Sequence, residues 1–377
     1  MHVRPHALFK EFMAGLAAKP EASLVHSLAE PPTLSEFLSD LDPQLSLDWS
    51  GQSFFGMPAL REQVLGRTGT NAACCIDDVL VTAGAAEANF LAISQLVQPG
   101  DEMVVDVPGW PQPLVLGDAI GADVKRLQRR ENQGWRFDID ELKELVSDRT
   151  RLIFLCNPNN PTGQVLNEEE LSCVVEIAER VGAYVLCDEV YAGLEWDDQP
   201  TPRIANLYDR GISTGSVSKA LGLQGLRTGW IICRDRQLLF DAMVLREDTS
   251  EIMNIMGEVI AEIALREERY DTAIARAKAS GRRNLDTVDA WITQREEVSW
   301  QRPAAGLIGF CRLDMAISSD TLAQRLIEPP FRTFVMPGSA YDFPRHLRLG
   351  VGGGVNAGIE DALQRLGNCL DEFTKKA

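Results

Sequence analysis

The sequence predicts an α/β fold: a large domain with a mainly parallel sheet covered by helices, joined to a smaller α+β domain. Two observations carry that expectation. From about residue 78, short apolar runs alternate with longer amphipathic ones, as in "DVLVTA", "AAEANFLAISQLV" and "EMVVDV". Strands that are apolar on both faces and separated by helices belong to sheets buried on both sides, which are mainly parallel. After about Asp235 the pattern changes to long helical stretches, followed by the short runs "AGLIGFCRLD", "FRTFVMPGSA" and "HLRLGVGG" and a closing helix.

Taken in order, residues 1–45 form an N-terminal segment joining the small domain, 46–275 the large domain and 276–377 the small C-terminal one. Within the large domain, "RLIFLC" reads as a strand that leads through a loop into the amphipathic helix "NEEELSCVVEIAERV". "AYVLC" and "GWIIC" continue the sheet, and the stretch from "IMGEVIAEIAL" to "NLDTVDAWI" reads as long helix.

Composition narrows the function. The 377 residues are 45% hydrophobic and 24% charged, as in ordinary soluble globular proteins. A net charge of −18 argues against a nucleic-acid backbone or an anionic membrane surface as partner, and solubility is its simplest reading. No apolar run approaches the roughly 20 residues of a membrane helix, and the N-terminus does not read as a secretory signal. Eight cysteines, at 74, 75, 156, 173, 187, 233, 311 and 369, form no C-x-x-C pair, and several sit inside apolar runs. That usage points to the reducing cytoplasm. His2 and His6 are separated by Pro5 near the terminus, so no metal site is expected.

Chemistry is expected beyond the C-terminal ends of the strands, where α/β sheets bind ligands. After "RLIFL" comes "CNPNNPTG", with Asn160 in a rigid turn. After "AYVL" comes "CDEVY", with Asp188 at the strand end and Tyr191 three residues on. Beyond the next strand lies "SVSKALGLQGLRTGW". Its Lys219 sits among small and aliphatic residues, a poor setting for a surface ion pair. Partial burial would disfavour the ammonium and leave a nucleophilic amine. Ser216, Ser218 and Arg227 surround it with anion-binding donors. A second anion cradle is expected in "VTAGAAEANF", where Gly84 turns the chain into a helix whose first amides, Ala85 and Ala86, are free. Trp110, after the intervening strand, offers a flat ring for stacking. Each feature is common by itself. Together they describe a site for a phosphate-bearing aromatic aldehyde, with an amine, a carboxylate for a pyridinium nitrogen and donors for a ring oxygen; this is pyridoxal 5′-phosphate binding.

"NPNNPTG", "CDEVY", "SVSKALGLQGLRTGW" and "HLRLGVGG", in that order, resemble the fold-type I, class I/II aminotransferases over essentially the whole chain. The resemblance implies Lys219 as the Schiff-base lysine and general acid/base, Asp188 beside the pyridine nitrogen, and Asn160 and Tyr191 at the ring oxygen. It further implies Trp110 stacking on the ring, and Ser216, Ser218, Arg227 and the Ala85 and Ala86 amides at the phosphate. Arg348 resembles the family's substrate-carboxylate clamp. A homodimer acting on a small-molecule amino-acid substrate is implied as well.

The sequence also departs from the family pattern. Family members often carry a tyrosine shortly before a run such as "GMPALR" (Gly56–Arg61), but the place near Gly51 holds none, and Phe54 and Phe55 cannot donate a hydrogen bond. Where many members line the substrate pocket with Gly-x-Pro, this chain reads "VHSLAEPPTLSEF", making His26, Ser27 and Glu30 candidate pocket residues. "SLAEPPTLSEF", "TAGAAEANFL" and "LREDTSEIMN" resemble a subgroup containing capreomycidine-synthase-like enzymes, which cyclise a hydroxylated arginine. Glu87, Glu30 or Asp106 would then receive the guanidinium. Transamination and elimination with cyclisation both stay open.

Overall fold

The computed structural model describes residues 2–48, 53–70, 72–353 and 358–375. Seven strands form the large sheet: β1 (Val79–Thr82), β2 (Glu102–Val107), β3 (Asp123–Gln128), β4 (Thr150–Cys156), β5 (Tyr184–Asp188), β6 (Gly211–Ser216) and β7 (Gly229–Cys233). Their spatial order is β1-β7-β6-β5-β4-β2-β3. The stretch from β3 through β6 is parallel throughout, while β7 runs antiparallel to both its neighbours.

Alternation along the central strands explains why they are apolar on both faces. Leu152 and Phe154 of β4, Leu186 of β5 and Ile212 of β6 enter one core, together with Leu91 and Ala92 of helix Ala85–Leu96. Ile153 and Leu155, with Val185 and Cys187, enter the opposite core against Leu171, Val174 and Ile177 of helix Glu168–Val181. That second helix is delimited by its own sequence. Asn167 and Glu170 form a capping box at its start, three glutamates occupy its first turn, and Gly182 ends it in the left-handed conformation.

The predicted long helical stretch is two helices, Ile255–Leu265 and Glu267–Thr293, separated where Arg266 takes an extended conformation. The expected boundary between residues 275 and 276 falls inside the second of them. Beyond it lies an antiparallel sheet of β8 (Val298–Trp300), β9 (Ile308–Leu313), β10 (Met336–Pro337) and β11 (His346–Gly350), in the order β10-β11-β9-β8. The N-terminal segment is stitched to this part of the chain. Ala22–Ser23 pairs in parallel with Thr333–Phe334, and the Gly350 N–H donates to Leu24 O. Leu307, Leu347 and Leu349 share a core with Leu363 and Leu366 of the closing helix Ile359–Thr374 and with Tyr191 and Ala220, so the loops leaving β5 and β6 are held against the smaller sheet.

Among the described residues no helix is long and apolar enough to cross a membrane, and no group of His, Cys, Asp and Glu side chains is arranged to hold a metal ion. All eight cysteines are free thiols. Phe154 is completely buried in the core on one face of β4. Phe154→Ala is expected to lower the unfolding free energy by about 3–5 kcal/mol in urea titrations; a loss under about 1 kcal/mol would contradict this packing.

Candidate active site

β4, β5 and β6 end side by side, and their register sets Asp188 opposite Cys156 on one flank and Thr214 on the other. The Asp188 side chain turns away from water. Asn89, on the inner face of helix Ala85–Leu96, donates its amide to Asp188 Oδ2 at 2.9 Å, and the Val190 N–H donates to Oδ1 at 3.3 Å. Thr214 holds the other end of that amide, donating to Asn89 Oδ1 at 2.8 Å. Burial pushes the Asp188 carboxyl above its usual range, and the bonds from Asn89 and Val190 and the Lys219 charge offset this only in part. Such a group wants a cation against it.

Above this floor is a cavity of about 250 Å³. All the sequence-predicted cofactor residues line it: Asp188, Tyr191, Asn160 and Trp110, then Lys219, Ser216 and Ser218, then Arg227 with Ala85 and Ala86. Arg348 lines it as well, brought in from β11. Lys219 follows β6 in a loop whose backbone is fixed from outside, because the Ala29 N–H donates to Lys219 O at 2.8 Å. Loss of water and the nearby Arg348 charge bring its amine down to about 8, with Asp188 opposing the shift. Its Nζ lies 5.6 Å from the centre of the Tyr191 ring. The Tyr191 hydroxyl is buried without a hydrogen bond of good geometry, and burial pushes it up to about 12, although the Arg348 charge and the adjacent Ser27 act against that.

Part of the cavity lining is built for an anion. Gly84 takes φ +87 before the helix at Ala85, so the first amides of that helix have no partner one turn back. A Cβ at position 84 would lie 2.4 Å from Arg227 Nη2, so only glycine lets the guanidinium reach this turn. Arg227 donates to Ala83 O and Gln224 O, and no carboxylate among the described residues lies within 4 Å of it. Trp110 is braced by Gln112, which accepts from its indole N–H at 3.1 Å and donates to Ala86 O at 2.7 Å. The His6 ring meets the Trp110 ring edge-on at 5.4 Å.

Arg348, which also lines the cavity, is buried and likewise without a carboxylate partner among the described residues. Its Nη2 donates to Val25 O at 3.0 Å and its Nη1 to Tyr341 Oη at 3.2 Å, while Nε has no partner. A cavity lined by two guanidinium groups without carboxylate partners, a buried carboxylate and an amine of lowered basicity fits a phosphorylated pyridine aldehyde together with an α-amino acid.

His26 and Ser27 stand behind the wall rather than among the residues lining the cavity. Ser27 is buried beside Tyr191, and the Arg348 charge reinforces the lowering of the His26 ring by burial. The three acids expected to receive a guanidinium are not brought in. Asp106 is completely buried against Arg129 at 2.6 Å. Glu87 accepts from the Ala83 N–H, Thr249 and Ser250, and Glu30 is exposed. Gly51, where a tyrosine is missing, lies outside the described residues. Sequence reasoning passed over Asn89, Gln112 and Tyr341, although "TAGAAEANFL" contains the first of them.

The chain matches the family model for aminotransferase class I and II over residues 51–366. It is 29% identical to capreomycidine synthase of Streptomyces vinaceus over 273 residues, which are 72% of this chain and 69% of that protein. It is 26% identical to the putative aminotransferase YugH of Bacillus subtilis, over 90% of this chain and 88% of that one. Among solved structures, a PLP-dependent aminotransferase from Streptococcus suis superposes with a TM-score of 0.90 at 26% identity, covering 99% of both chains. The PLP-dependent cyclase OrfR superposes with a TM-score of 0.88, also at 26% identity, covering 99% of this chain and 98% of that one. The chain belongs to the class I and II aminotransferases and is a pyridoxal 5′-phosphate-dependent enzyme of fold type I.

Proposed function

We propose that the protein acts on an L-α-amino acid by transamination, as a homodimer in the cytoplasm with neither nucleic acid nor membrane as partner. When bound, pyridoxal 5′-phosphate supplies an electron-withdrawing ring that stabilises negative charge at the substrate α-carbon. In this reading Arg227, Ser216, Ser218 and the Ala85 and Ala86 amides would hold the phosphate. Asp188 would favour a protonated ring nitrogen, Asn160 and Tyr191 would serve the ring oxygen, and Trp110 would offer its ring for stacking. Lys219 would hold the cofactor through its amine and move the substrate α-proton, a task suited to an amine whose basicity lies near working pH.

The observation that carries the reading is Arg348. A buried guanidinium with no acid within 4 Å among the described residues is costly to keep unless a ligand brings the acid, and it shares one cavity with Lys219. Its remaining N–H donors suit the bidentate grip of an α-carboxylate.

A second reading, elimination and cyclisation of a hydroxylated arginine, is favoured by the similarity to capreomycidine synthase and to the cyclase OrfR. Against it, Asp188 is the sole carboxylate lining the cavity among the described residues, and it faces the ring nitrogen in the reading above.

Incubation of the loaded enzyme with a panel of amino acids should convert the cofactor to its amine form, and a 2-oxo acid should return it. Mass spectrometry on hydroxyarginine separates the two chemistries: a ring-bearing product that retains the α-nitrogen, formed with no amine-form cofactor, would replace transamination by cyclisation. Arg348→Ala is expected to raise KM for the amino acid by about 10–100-fold, as loss of charged hydrogen bonds does; an unchanged KM removes the carboxylate from this position. Because capture of the aldehyde needs the neutral amine, uptake of pyridoxal 5′-phosphate by the cofactor-free protein should rise with pH and level off above about 8. A rise that continues to the range of an ordinary lysine would contradict the lowered basicity.

A further inference from the structure

Tyr341 belongs to none of the motifs that mark the cofactor site, yet its hydroxyl joins two groups that do. It lies in the short turn Gly338–Tyr341 that precedes β11, and it is buried behind the cavity wall. Its Oη is 3.2 Å from Asn160 Oδ1 and 3.2 Å from Arg348 Nη1. These partners lie on either side of Tyr341 in the chain, 181 residues before it and 7 after it.

The direction of each bond follows from the groups themselves. A guanidinium only donates, so the hydroxyl oxygen accepts from Arg348. The hydroxyl proton then needs an acceptor, and among the described residues Asn160 Oδ1 is the one within hydrogen-bonding distance. Burial pushes the Tyr341 hydroxyl up to about 12, so the proton stays in place across the working pH range. With its oxygen end engaged, the Asn160 amide is left with its NH2 for the cavity that it lines. An asparagine amide is otherwise nearly symmetric in shape and can present either end.

We propose that Tyr341 is a positioning residue whose hydroxyl fixes the Asn160 amide with its NH2 toward the ring oxygen of the cofactor and ties that amide to Arg348. The inference rests on the reading of Asn160 and Arg348 given above. It adds a consequence that reading does not contain: the donor at the ring oxygen and the clamp for the substrate carboxylate are held by one shared hydroxyl. Binding of a carboxylate at Arg348 is therefore felt at the ring oxygen through Tyr341 and Asn160.

Tyr341→Phe tests this while keeping the ring, which packs edge-on against Phe310 at 5.8 Å. Loss of a fixed donor disfavours the ionised ring oxygen. The pH at which the bound cofactor changes its visible absorbance is therefore expected to move up by about one unit, read in the resting enzyme without substrate. KM for the amino acid is expected to rise by about tenfold with a smaller change in kcat. Asn160→Ala is measured beside it, and the double variant should shift no further than Asn160→Ala alone. If Asn160→Ala moves the absorbance titration and Tyr341→Phe does not, the inference fails and the reading of Asn160 stands. If neither moves it, the reading of Asn160 fails and the inference with it. An additive double variant also overturns the inference, because the hydroxyl would then be acting through another group. A thermal midpoint for Tyr341→Phe close to that of the parent excludes misfolding as the cause of any shift.

Discussion

A carboxylate taken out of water at the end of β5, with an amide and a backbone N–H as its hydrogen-bond donors, is the constraint from which the rest of the site follows. An uncompensated buried charge costs several kcal/mol, and the neighbouring elements bear on that cost. Thr214 on β6 fixes the Asn89 amide, so that its NH2 rather than its oxygen meets Asp188. The ion pair of Asp106 with Arg129 lies in the same interior, and Asp106 adds to the upward push on Asp188. The floor is therefore charged but under-compensated, and a protonated ring nitrogen is the complement it lacks.

The walls show the opposite imbalance. For a chain with net charge −18, Arg227 and Arg348 stand without acids in one cavity, while the surface pairs most of its arginines with carboxylates. Surface pairs of that kind contribute little to stability. The informative cations are the two without an acid partner that line the cavity. Both line one cavity with the amine of Lys219, whose basicity they lower, which suits a ligand that carries a phosphate and an amino acid together.

Much of this was legible in the sequence because it sits where strongly apolar strands end. "AYVLCD" announces both a buried strand and the acid at its tip, and an amine surrounded by serines and glycines has few ordinary explanations. What was not legible depends on partners far away in the chain. Asn89 looks like any polar residue on a helix until Asp188, 99 positions later, is placed beneath it. Tyr341 reads as an aromatic in a turn, and Asp106 reads as a free acid until Arg129, one residue past β3, closes on it. The antiparallel course of β7 was equally hidden, since "GWIIC" is apolar in either direction. The smaller sheet and closing helix were recognised by character, but the length of helix Glu267–Thr293, which runs straight across the expected boundary, leaves no mark in composition.

The N-terminal segment has a consequence that goes beyond its pairing with Thr333–Phe334. Val25 O receives the Arg348 guanidinium, and four residues later the Ala29 N–H grips the carbonyl of Lys219. A short span of irregular chain thus touches the two groups that would hold a substrate by its carboxylate and act on its α-carbon. It works as a ruler: inserting or deleting one residue between those contacts would change the gap between clamp and amine without altering either side chain. Variation in this part of the chain is a route by which the same catalytic groups could be re-spaced for amino acids of another shape.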